Sequence, residues 1–267
     1  MDFKDKVALI TGAANGIGRA TAMAFAAHGA KVVLVDRDAA GAKAAAGAIE
    51  QKGGKAISVT ADVTKSADVA AYVKATIDSY GRIDCFFNNA GIEGKVQPLH
   101  EYSEADFDQL FSVNVKGVFL GLKHVIPQMI KQKSGAIVNT ASVAGLVGSP
   151  NMAPYVASKH AVIGFTKTVS GEVAQHGIRI NAVCPGPVDT RMIHSVVSQV
   201  NPADAAEVAK RYAAAIPLGR FCTADEIANT VLFLSSSYAS GITGAQYVVD
   251  GGRTATGGAV TNMGSKK

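Results

Sequence analysis

The chain has 267 residues, of which 48% are hydrophobic, and a formal net charge of +5 at pH 7. This length and this hydrophobic fraction suit one large α/β domain with a single buried core. The basic residues are dispersed, and no basic run is longer than the terminal Lys266 and Lys267, so the charge predicts no nucleic-acid partner.

Membrane, disulfide and metal sites are not predicted either. No apolar run approaches the ~20 residues that span a bilayer, and the N-terminus enters a predicted strand without the pattern of a signal peptide. The three cysteines lie far apart, and the six histidines have no H-E-x-x-H spacing. We therefore expect a cytoplasmic protein without a metal ion, disulfides or a membrane partner.

The first predicted elements are a strand at 7–11, a glycine-rich turn and a helix. In the turn, Gly12 permits a tight bend, Gly16 lets a phosphate approach the backbone, and Gly18 lets the helix pack closely on the strand. Backbone N–H groups and the helix dipole at such a junction attract anions. The turn therefore predicts a dinucleotide-binding site. Its contributing residues are Gly12, Asn15, Gly16, Ile17 and Gly18.

The second predicted strand, 31–35, ends at Asp36. An acidic residue ~20 positions beyond the glycines typically binds the adenosine ribose of a dinucleotide. A carboxylate accepts hydrogen bonds from ribose hydroxyls and repels a 2′-phosphate, so Asp36 favours NAD, although the adjacent Arg37 leaves room for NADP. The alternative is that Asp36 caps the helix that begins near Ala39.

Strands and helices then alternate along the chain. Helices at 39–52 and 66–80 flank a strand at 56–61, and a fourth strand lies at 83–87. This alternation predicts a doubly wound, Rossmann-type parallel sheet of about seven strands with helices on both faces. Ligands of such sheets bind at the carboxyl ends of the strands. The strand-end residues that we expect to contact the cofactor are Asp62, Val63, Asn89, Ala90 and Gly91.

A long amphipathic helix is predicted over 103–131, with Asn114 in an otherwise apolar face. An amide on such a face is costly to bury unless it is hydrogen-bonded. It can bond to backbone alone, or it can hold a water molecule that relays protons from Lys159. The sequence leaves both alternatives open.

The candidate catalytic residues lie in the middle of the chain. A predicted strand at 136–140 delivers Ser142 to a loop, and a helix whose first turn contains Pro154 carries Tyr155 and Lys159 on one face. A phenol has an unperturbed pKa of about 10, and a nearby ammonium lowers it toward neutrality. Tyr155 is then a candidate general acid or base, and Ser142 binds the oxygen of a carbonyl or hydroxyl. The Y-x-x-x-K pattern is also common on ordinary helix surfaces, so it identifies no site by itself.

A turn and a flap are predicted to follow the sixth strand. This strand, 178–184, ends in Pro185 and Gly186, which stiffen a turn on the same edge as the other motifs. The segment 188–216 mixes polar and apolar residues, and we interpret it as a mobile helical flap over the substrate.

The last predicted elements are a helix at 223–234 and a seventh strand at 246–249. They complete one dinucleotide-binding and catalytic domain at 1–252. The tail at 253–267 is rich in glycine and threonine, and we expect it to be loosely ordered.

The motifs occur together and in one order. They are Thr11-Gly12-x-x-x-Gly16-x-Gly18, Asn88-Asn89-Ala90-Gly91, Asn114, Ser142, Tyr155-x-x-x-Lys159 and Pro185-Gly186. With this set, the chain resembles a short-chain dehydrogenase/reductase over about residues 5–252. The resemblance implies that Tyr155 is the acid/base and that Ser142 orients the substrate oxygen. It also implies that Lys159 binds the nicotinamide ribose and lowers the tyrosine pKa, and that Asn114 completes a proton relay.

The resemblance has three further implications. Thr190 would contact the nicotinamide carboxamide, and hydride would move from the B face of the ring. Such proteins are commonly homotetramers that pack through the helices at 103–131 and 153–170. The last cofactor-binding residues would be Pro185, Gly186, Val188 and Thr190.

We expect an NAD-dependent enzyme that interconverts a secondary alcohol and a ketone. Apolar residues are expected to form most of the substrate pocket, and these are Val143, Ala144, Leu146, Val147, Met152, Pro187, Met192, Ile193, Val196 and Val197. Polarity would come from Glu93, Asn151, Gln199 and His194, with His194 more typical of a surface residue. A pocket with few polar groups and no basic residue between Met192 and Ala209 predicts a neutral, compact, cyclic or aromatic small-molecule substrate.

Two alternatives remain at this point. An NADPH-dependent 3-oxoacyl-carrier-protein reductase has the same motifs but is disfavoured by Asp36. A non-catalytic dinucleotide-binding or scaffold protein is disfavoured by the combination of Ser142, Tyr155 and Lys159, which a scaffold would not require.

Overall fold

Seven strands form one parallel sheet in residues 1–255, the part of the chain that the computed structural model describes. The strands are β1 (Val7–Thr11), β2 (Lys31–Asp36), β3 (Lys55–Thr60), β4 (Cys85–Asn88), β5 (Gly135–Thr140), β6 (Ile178–Pro185) and β7 (Gln246–Val249). Residues 256–267, the greater part of the tail that we expect to be loosely ordered, lie outside the described residues.

The strand order places β1 and β4 side by side in the sheet. The order is β3-β2-β1-β4-β5-β6-β7, so the chain runs outward from β1 to β3, returns to β4 and runs outward again to β7. Every neighbouring pair is parallel. The crevice at the carboxyl ends of β1 and β4 is the switch point at which such sheets bind ligands. The predicted doubly wound sheet is confirmed.

Helices cover both faces of the sheet. The helices are α1 (Gly16–Ala27), α2 (Ala39–Glu50), α3 (Ser66–Tyr80), α4 (Glu104–Phe111), α5 (Gly117–Gln132), α6 (Ala153–Val173), α7 (Arg191–Val200), α8 (Ala205–Ala214) and α9 (Ala224–Ser235). The core cluster on one face includes α1, α2 and α9, and the cluster on the other includes α3, α5 and α6. Side chains alternate along β1, where Ala8 and Ile10 belong to the first cluster and Leu9 to the second. Among the described helices, none is both long enough and apolar enough to cross a membrane.

The single helix predicted over 103–131 is interrupted by a wider turn. A π-helical turn at Ser112–Lys116 separates α4 from α5. Asn114 lies in this turn, fully buried, and its side chain bonds to groups outside the helix. A π turn inserts one residue into the helical repeat, and such turns are frequent at functional sites. The sequence carries no signal for it, because the apolar spacing on both sides is that of an α-helix.

The predicted flap at 188–216 is helical in the structure. It consists mainly of α7 and α8, and α7 buries Val196 and Val197 against the rest of the molecule. Its mobility, and its role as part of a single domain at 1–252, stay predictions.

Helix α1 packs on the glycine-rich turn without room for a side chain. A Cβ atom placed on Gly18 would lie 2.1 Å from the carbonyl oxygen of Gly12, far inside van der Waals contact. Gly47, inside α2, differs because a Cβ atom there would meet no other heavy atom within 4 Å. The two glycines thus provide a matched pair, one with close packing and one without.

Gly18→Ala is expected to lower the free energy of unfolding by about 1–3 kcal/mol, the usual cost of overpacking. Gly47→Ala is expected to raise it by about 0.5–1 kcal/mol, because alanine loses less backbone entropy than glycine in a helix. Denaturant-induced unfolding measures both changes. An equal effect of the two substitutions would contradict the close packing at Gly18.

Candidate active site

A cavity of about 680 Å³ opens at the carboxyl ends of the strands. Most predicted site residues line it, namely Gly12, Asn15, Gly16, Ile17, Asp36, Arg37, Asp62, Val63, Asn89, Ala90, Gly91, Ser142, Tyr155, Lys159, Pro185, Gly186, Val188 and Thr190. Gly18 and Asn114 are not among the lining residues and support the wall from behind. The fold therefore brings residues from the whole length of the chain to one place.

A network of hydrogen bonds holds the ends of three strands together. The Thr11 hydroxyl accepts from the backbone N–H groups of Asn89 (2.9 Å) and Ala90 (3.1 Å). The Asn89 side chain donates to the Thr11 carbonyl at 3.0 Å and accepts from the Thr140 hydroxyl at 3.0 Å. Thr11 belongs to β1 and Thr140 to β5, so the network fixes the glycine turn relative to the strand that precedes Ser142. The sequence reading did not assign a role to Thr140.

The glycine turn has the backbone that a phosphate site requires. Gly12 and Gly16 have φ values of +66° and +52°, a region that side-chain-bearing residues rarely adopt. The Asn15 side chain makes no capping hydrogen bond at the start of α1, so the first N–H groups of this helix remain available for an anion. A Cβ atom on Gly16 would lie 3.4 Å from the Thr190 side chain. The turn is therefore bordered by the residue that begins the flap helices, and its backbone fits a pyrophosphate.

Asp36 faces the glycine turn and does not cap a helix. One oxygen of its carboxylate accepts from Ala14 N–H at 3.0 Å, and the other accepts from Asp38 N–H at 3.0 Å. The cap of α2 is Asp38, whose side chain accepts from Gly41 N–H at 2.9 Å. The helix-cap interpretation of Asp36 is therefore wrong, because the neighbouring Asp38 has that role.

Asp62 and Val63 line the same end of the cavity as Asp36. Burial raises the pKa of the Asp62 carboxyl, but hydrogen bonds from Thr64 and the charges of Lys65 and Arg37 outweigh it and hold the pKa below its usual value. Val63 packs against Gly117 at the start of α5, where an added Cβ would lie 3.0 Å from the valine side chain. This end of the cavity offers carboxylate acceptors and an apolar surface, which suit an adenosine group.

Ser142, Tyr155 and Lys159 meet at the other end. The Ser142 hydroxyl accepts from Ala144 N–H at 3.1 Å and donates to the Pro185 carbonyl at 3.4 Å. It also lies near the Tyr155 phenol, whose pKa it lowers. The Lys159 ammonium lies 5.6 Å from the centre of the Tyr155 ring and donates to the Thr140 carbonyl at 2.9 Å. The pair predicted from the i,i+4 spacing is therefore assembled around Ser142, with the ammonium beneath the ring.

Burial has the largest effect on the pKa values of Tyr155 and Lys159. It raises the pKa of Tyr155 to about 12, the Ser142 hydrogen bond lowers that pKa in part, and the Glu93 carboxylate raises it further. The net effect is a raised pKa, and the expectation that Lys159 lowers it stays a prediction. Burial also lowers the pKa of Lys159 itself to about 8. At neutral pH the phenol retains its proton, and the ammonium is the charged member of the pair.

Asn114 is bonded to backbone and to a neighbouring helix. Its side-chain oxygen accepts from Ile92 N–H at 2.9 Å, and its side-chain nitrogen donates to the Ile92 carbonyl at 2.9 Å and to the Ser158 hydroxyl at 3.2 Å. A Cβ atom placed on Gly91 would lie 3.3 Å from the Asn114 oxygen and 3.6 Å from the Lys159 ammonium, so these two groups approach the same point. The Ile92 backbone and the Ser158 hydroxyl together satisfy the buried amide, so its bonds are not to backbone alone. The water relay stays a prediction.

The substrate end of the cavity is mainly apolar. Of the apolar residues expected there, Leu146 and Val197 do not line the cavity and the others do. Of the four polar residues, only Glu93 lines it. His194 is exposed and pairs with Asp189 at 2.9 Å, as expected of a surface residue.

Several lining residues were missed by the sequence analysis, and four of them lie in the flap helices or after β7. These are Arg191, Tyr212, Arg253 and Thr254. The expectation of a pocket without basic residues considered only the flap interior, whereas one arginine precedes Met192 and the other follows β7. No local pattern marks these residues, because tertiary contacts alone bring them to the cavity. Among the described residues, no cluster of histidine, cysteine or acidic side chains could hold a metal ion.

Comparisons with known proteins extend over nearly the whole chain. A family model described as enoyl-(acyl carrier protein) reductase matches residues 12–254. Levodione reductase of Leifsonia aquatica is 44% identical over 255 residues, covering 95% of this chain and 96% of the relative. Cyclohexanol dehydrogenase of Acinetobacter sp. (strain SE19) is 40% identical, covering 94% of this chain and 96% of the relative.

Solved structures have the same fold over nearly the whole chain. The crystal structure of levodione reductase superposes with a TM-score of 0.93 and covers 95% of this chain and 99% of that one. The structure of NAD⁺-bound xylitol dehydrogenase, 36% identical, gives a TM-score of 0.89 and covers 93% and 99% of the two chains. Because a family model and close relatives both match almost its full length, the chain belongs to the short-chain dehydrogenase/reductase family.

Proposed function

We propose that this protein is an NAD(H)-dependent oxidoreductase that interconverts a neutral secondary alcohol and its ketone. The observation that carries the proposal is the cavity itself. At one end it has a helix N-terminus without a side-chain cap and the Asp36 carboxylate beside the glycine turn, and at the other end Ser142, Tyr155 and Lys159 lie together. When bound, the nicotinamide would donate or accept the hydride. The protein positions the two reactants and supplies the proton.

Each residue at the reacting end has a distinct part. The Ser142 and Tyr155 hydroxyls converge on the substrate oxygen, and Tyr155 donates a proton to it in ketone reduction or removes one in alcohol oxidation. The Lys159 ammonium, held by the Thr140 carbonyl, keeps a positive charge near the oxygen as its charge changes. The high pKa of Tyr155 favours the protonated phenol, which is the form that reduction consumes.

The proposed preference for NAD rests on Asp36. Its carboxylate is fixed by Ala14 N–H beside the glycine turn, and a 2′-phosphate there would meet a negative charge. The NAD⁺-bound xylitol dehydrogenase with the same fold supports this choice. Arg37 also lines the cavity, so the preference is a matter of degree.

The apolar wall supports a compact, uncharged substrate, as do relatives named for cyclohexanol and levodione. The NADPH-dependent 3-oxoacyl-carrier-protein reductase is disfavoured by the same Asp36, and the scaffold alternative by the assembled Ser142, Tyr155 and Lys159. The cytoplasmic location, B-face transfer and homotetramer stay predictions. Exposed Phe107 and Phe119, on the helices proposed to pack between subunits, support the tetramer.

Tyr155→Phe is expected to lower ketone reduction by at least about 100-fold, the lower range for a general acid. NADH binding should remain near that of the wild type, because the phenylalanine removes a proton donor and none of the phosphate or ribose contacts. Initial rates and NADH fluorescence titration check the two statements. Tyr238→Phe, which alters an exposed tyrosine outside the cavity, is the control. Activity of the Tyr155 variant within tenfold of the wild type would exclude the acid/base role.

Glu93→Gln is expected to shift the pH profile of alcohol oxidation toward lower pH. Oxidation requires deprotonated Tyr155, whose pKa of about 12 leaves only a small deprotonated fraction between about pH 7 and 10, and the loss of the Lys159 charge near pH 8 affects both enzymes alike. The Glu93 carboxylate raises this pKa, so its neutral counterpart lowers it and increases the rate at a fixed pH below the pKa. Profiles of kcat/KM between about pH 7 and 10 test this, with chemistry shown to be rate-limiting by an isotope effect. A shift in the opposite direction would contradict the assigned electrostatics.

Asp36→Ala is expected to narrow the preference for NAD over NADP by about 10- to 100-fold, the range for hydrogen bonds to a charged group. The substitution removes a ribose acceptor and a repulsive charge together. Asp36→Asn separates the two, because the amide still accepts from Ala14 N–H but carries no charge. The ratio of kcat/KM for the two cofactors is the readout. Equal values in the wild type would remove Asp36 as the determinant and favour the NADPH-dependent reductase.

A further inference from the structure

A side-chain pair from two distant segments lies in the cavity. The guanidinium carbon of Arg253 is 5.9 Å from the centre of the Tyr212 ring, and both residues line the cavity. Tyr212 belongs to α8 of the flap, and Arg253 lies in the turn that follows β7. Stacking on an aromatic face holds a guanidinium in one plane and leaves its N–H edge available to a ligand.

A buried carboxylate shapes the turn that carries Arg253. Asp250, with 6% of its surface exposed, accepts from Gly252 N–H at 2.9 Å and from the backbone and hydroxyl of Thr254 at 2.7 and 2.6 Å. The Gly251 carbonyl accepts from Leu218 N–H at 3.2 Å, which ties the turn to the end of the flap. The position of Arg253 is thus set by backbone contacts that do not involve its own side chain.

This turn borders the reacting end of the cavity. A Cβ atom on Gly186 would lie 2.7 Å from the Asp250 Cβ, and the preceding Pro185 carbonyl accepts from the Ser142 hydroxyl. The adenosine-binding Asp36 lies at the end of β2, on the other side of the β1–β4 crevice from β7. Arg253 is therefore on the substrate side of the cavity.

The chemistry of the guanidinium defines what it can bind. It has five N–H donors and no acceptor, so it selects an oxygen with lone pairs. None of the ion pairs among the described residues includes Arg253, so its charge is not committed to an acidic side chain there. Glu93 lines the same cavity and would repel a carboxylate, whereas a neutral carbonyl oxygen meets no such cost.

We propose that Arg253, held against Tyr212 by the Asp250 turn, is a specificity-determining residue that donates hydrogen bonds to a second carbonyl oxygen of the substrate. This oxygen lies away from the carbon that exchanges hydride. The inference rests on the proposed function, and it narrows the substrate class from simple ketones to compact ketones with a second, neutral acceptor oxygen.

The test compares two substrates that differ by one carbonyl group. The readout is kcat/KM with NADH for cyclohexane-1,4-dione relative to cyclohexanone, in the wild type and in Arg253→Met. The ratio should fall by about 10-fold or more in the variant, the lower range for a hydrogen bond to a charged group. The two ketones differ in intrinsic reactivity, but this difference is the same for both enzymes and cancels when their ratios are compared. The activity of the variant on cyclohexanone should stay within about threefold of the wild type, because the variant keeps the reacting groups.

Matched variants separate this role from a general effect on the flap. Arg211→Met removes the same charge from the residue next to Tyr212 but lies outside the cavity, and it should leave the ratio unchanged. Tyr212→Phe keeps the stacking ring and should preserve the ratio, whereas Tyr212→Leu removes the ring and should lower it.

The outcomes distinguish the inference from the proposed function. If the wild type reduces both ketones and Arg253→Met leaves their ratio unchanged, the inference is wrong and the proposed function stands. In another outcome, the wild type prefers 4-oxocyclohexanecarboxylate over the dione by tenfold or more and loses this preference in Arg253→Met. That result would mean that Arg253 binds an anionic oxygen, and it would overturn the inference. If folded wild type that binds NADH reduces none of these ketones, both are wrong.

Discussion

The site depends on one network of hydrogen bonds at the strand ends. Thr11, Asn89 and Thr140 join β1, the end of β4 and β5, and the carbonyl of Thr140 also holds the Lys159 ammonium. The backbone of the glycine turn and the Lys159 ammonium are therefore fixed to the same few atoms. Under the proposed function, disturbing this network would affect cofactor binding and acid/base chemistry together.

Burial and nearby charges together decide the protonation of Tyr155 and Lys159. An ammonium near a phenol lowers its pKa in principle, but burial of Tyr155 and the Glu93 carboxylate act in the other direction and prevail. A buried lysine whose partner is a neutral carbonyl has its own pKa lowered. The arrangement favours a proton-bearing phenol.

Local patterns in the sequence predicted the elements and most of the cavity wall. The glycine turn, Asp36 and the Tyr155–Lys159 pair are recognisable because their chemistry depends on backbone geometry or fixed helical spacing. The π turn at Asn114 was not predictable, because it depends on bonds to Ile92 and Ser158 from other segments. Arg253 and Tyr212 were missed for the same reason, since only tertiary packing brings the end of β7 to the flap. The high pKa of Tyr155 was not predicted for another reason, because spacing reveals a neighbouring charge but not the degree of burial.

The central claim is that NADH and a ketone bind together in this one cavity and react there. Single-turnover mixing of the NADH-loaded wild type with excess cyclohexanone, followed by NADH fluorescence, tests this most directly. The account predicts a decay of the bound NADH signal that requires the ketone, with one NADH oxidised per site and cyclohexanol formed in equal amount. A bound NADH signal that persists at saturating concentrations of a broad panel of neutral ketones would contradict it and favour a dinucleotide-binding protein without catalysis.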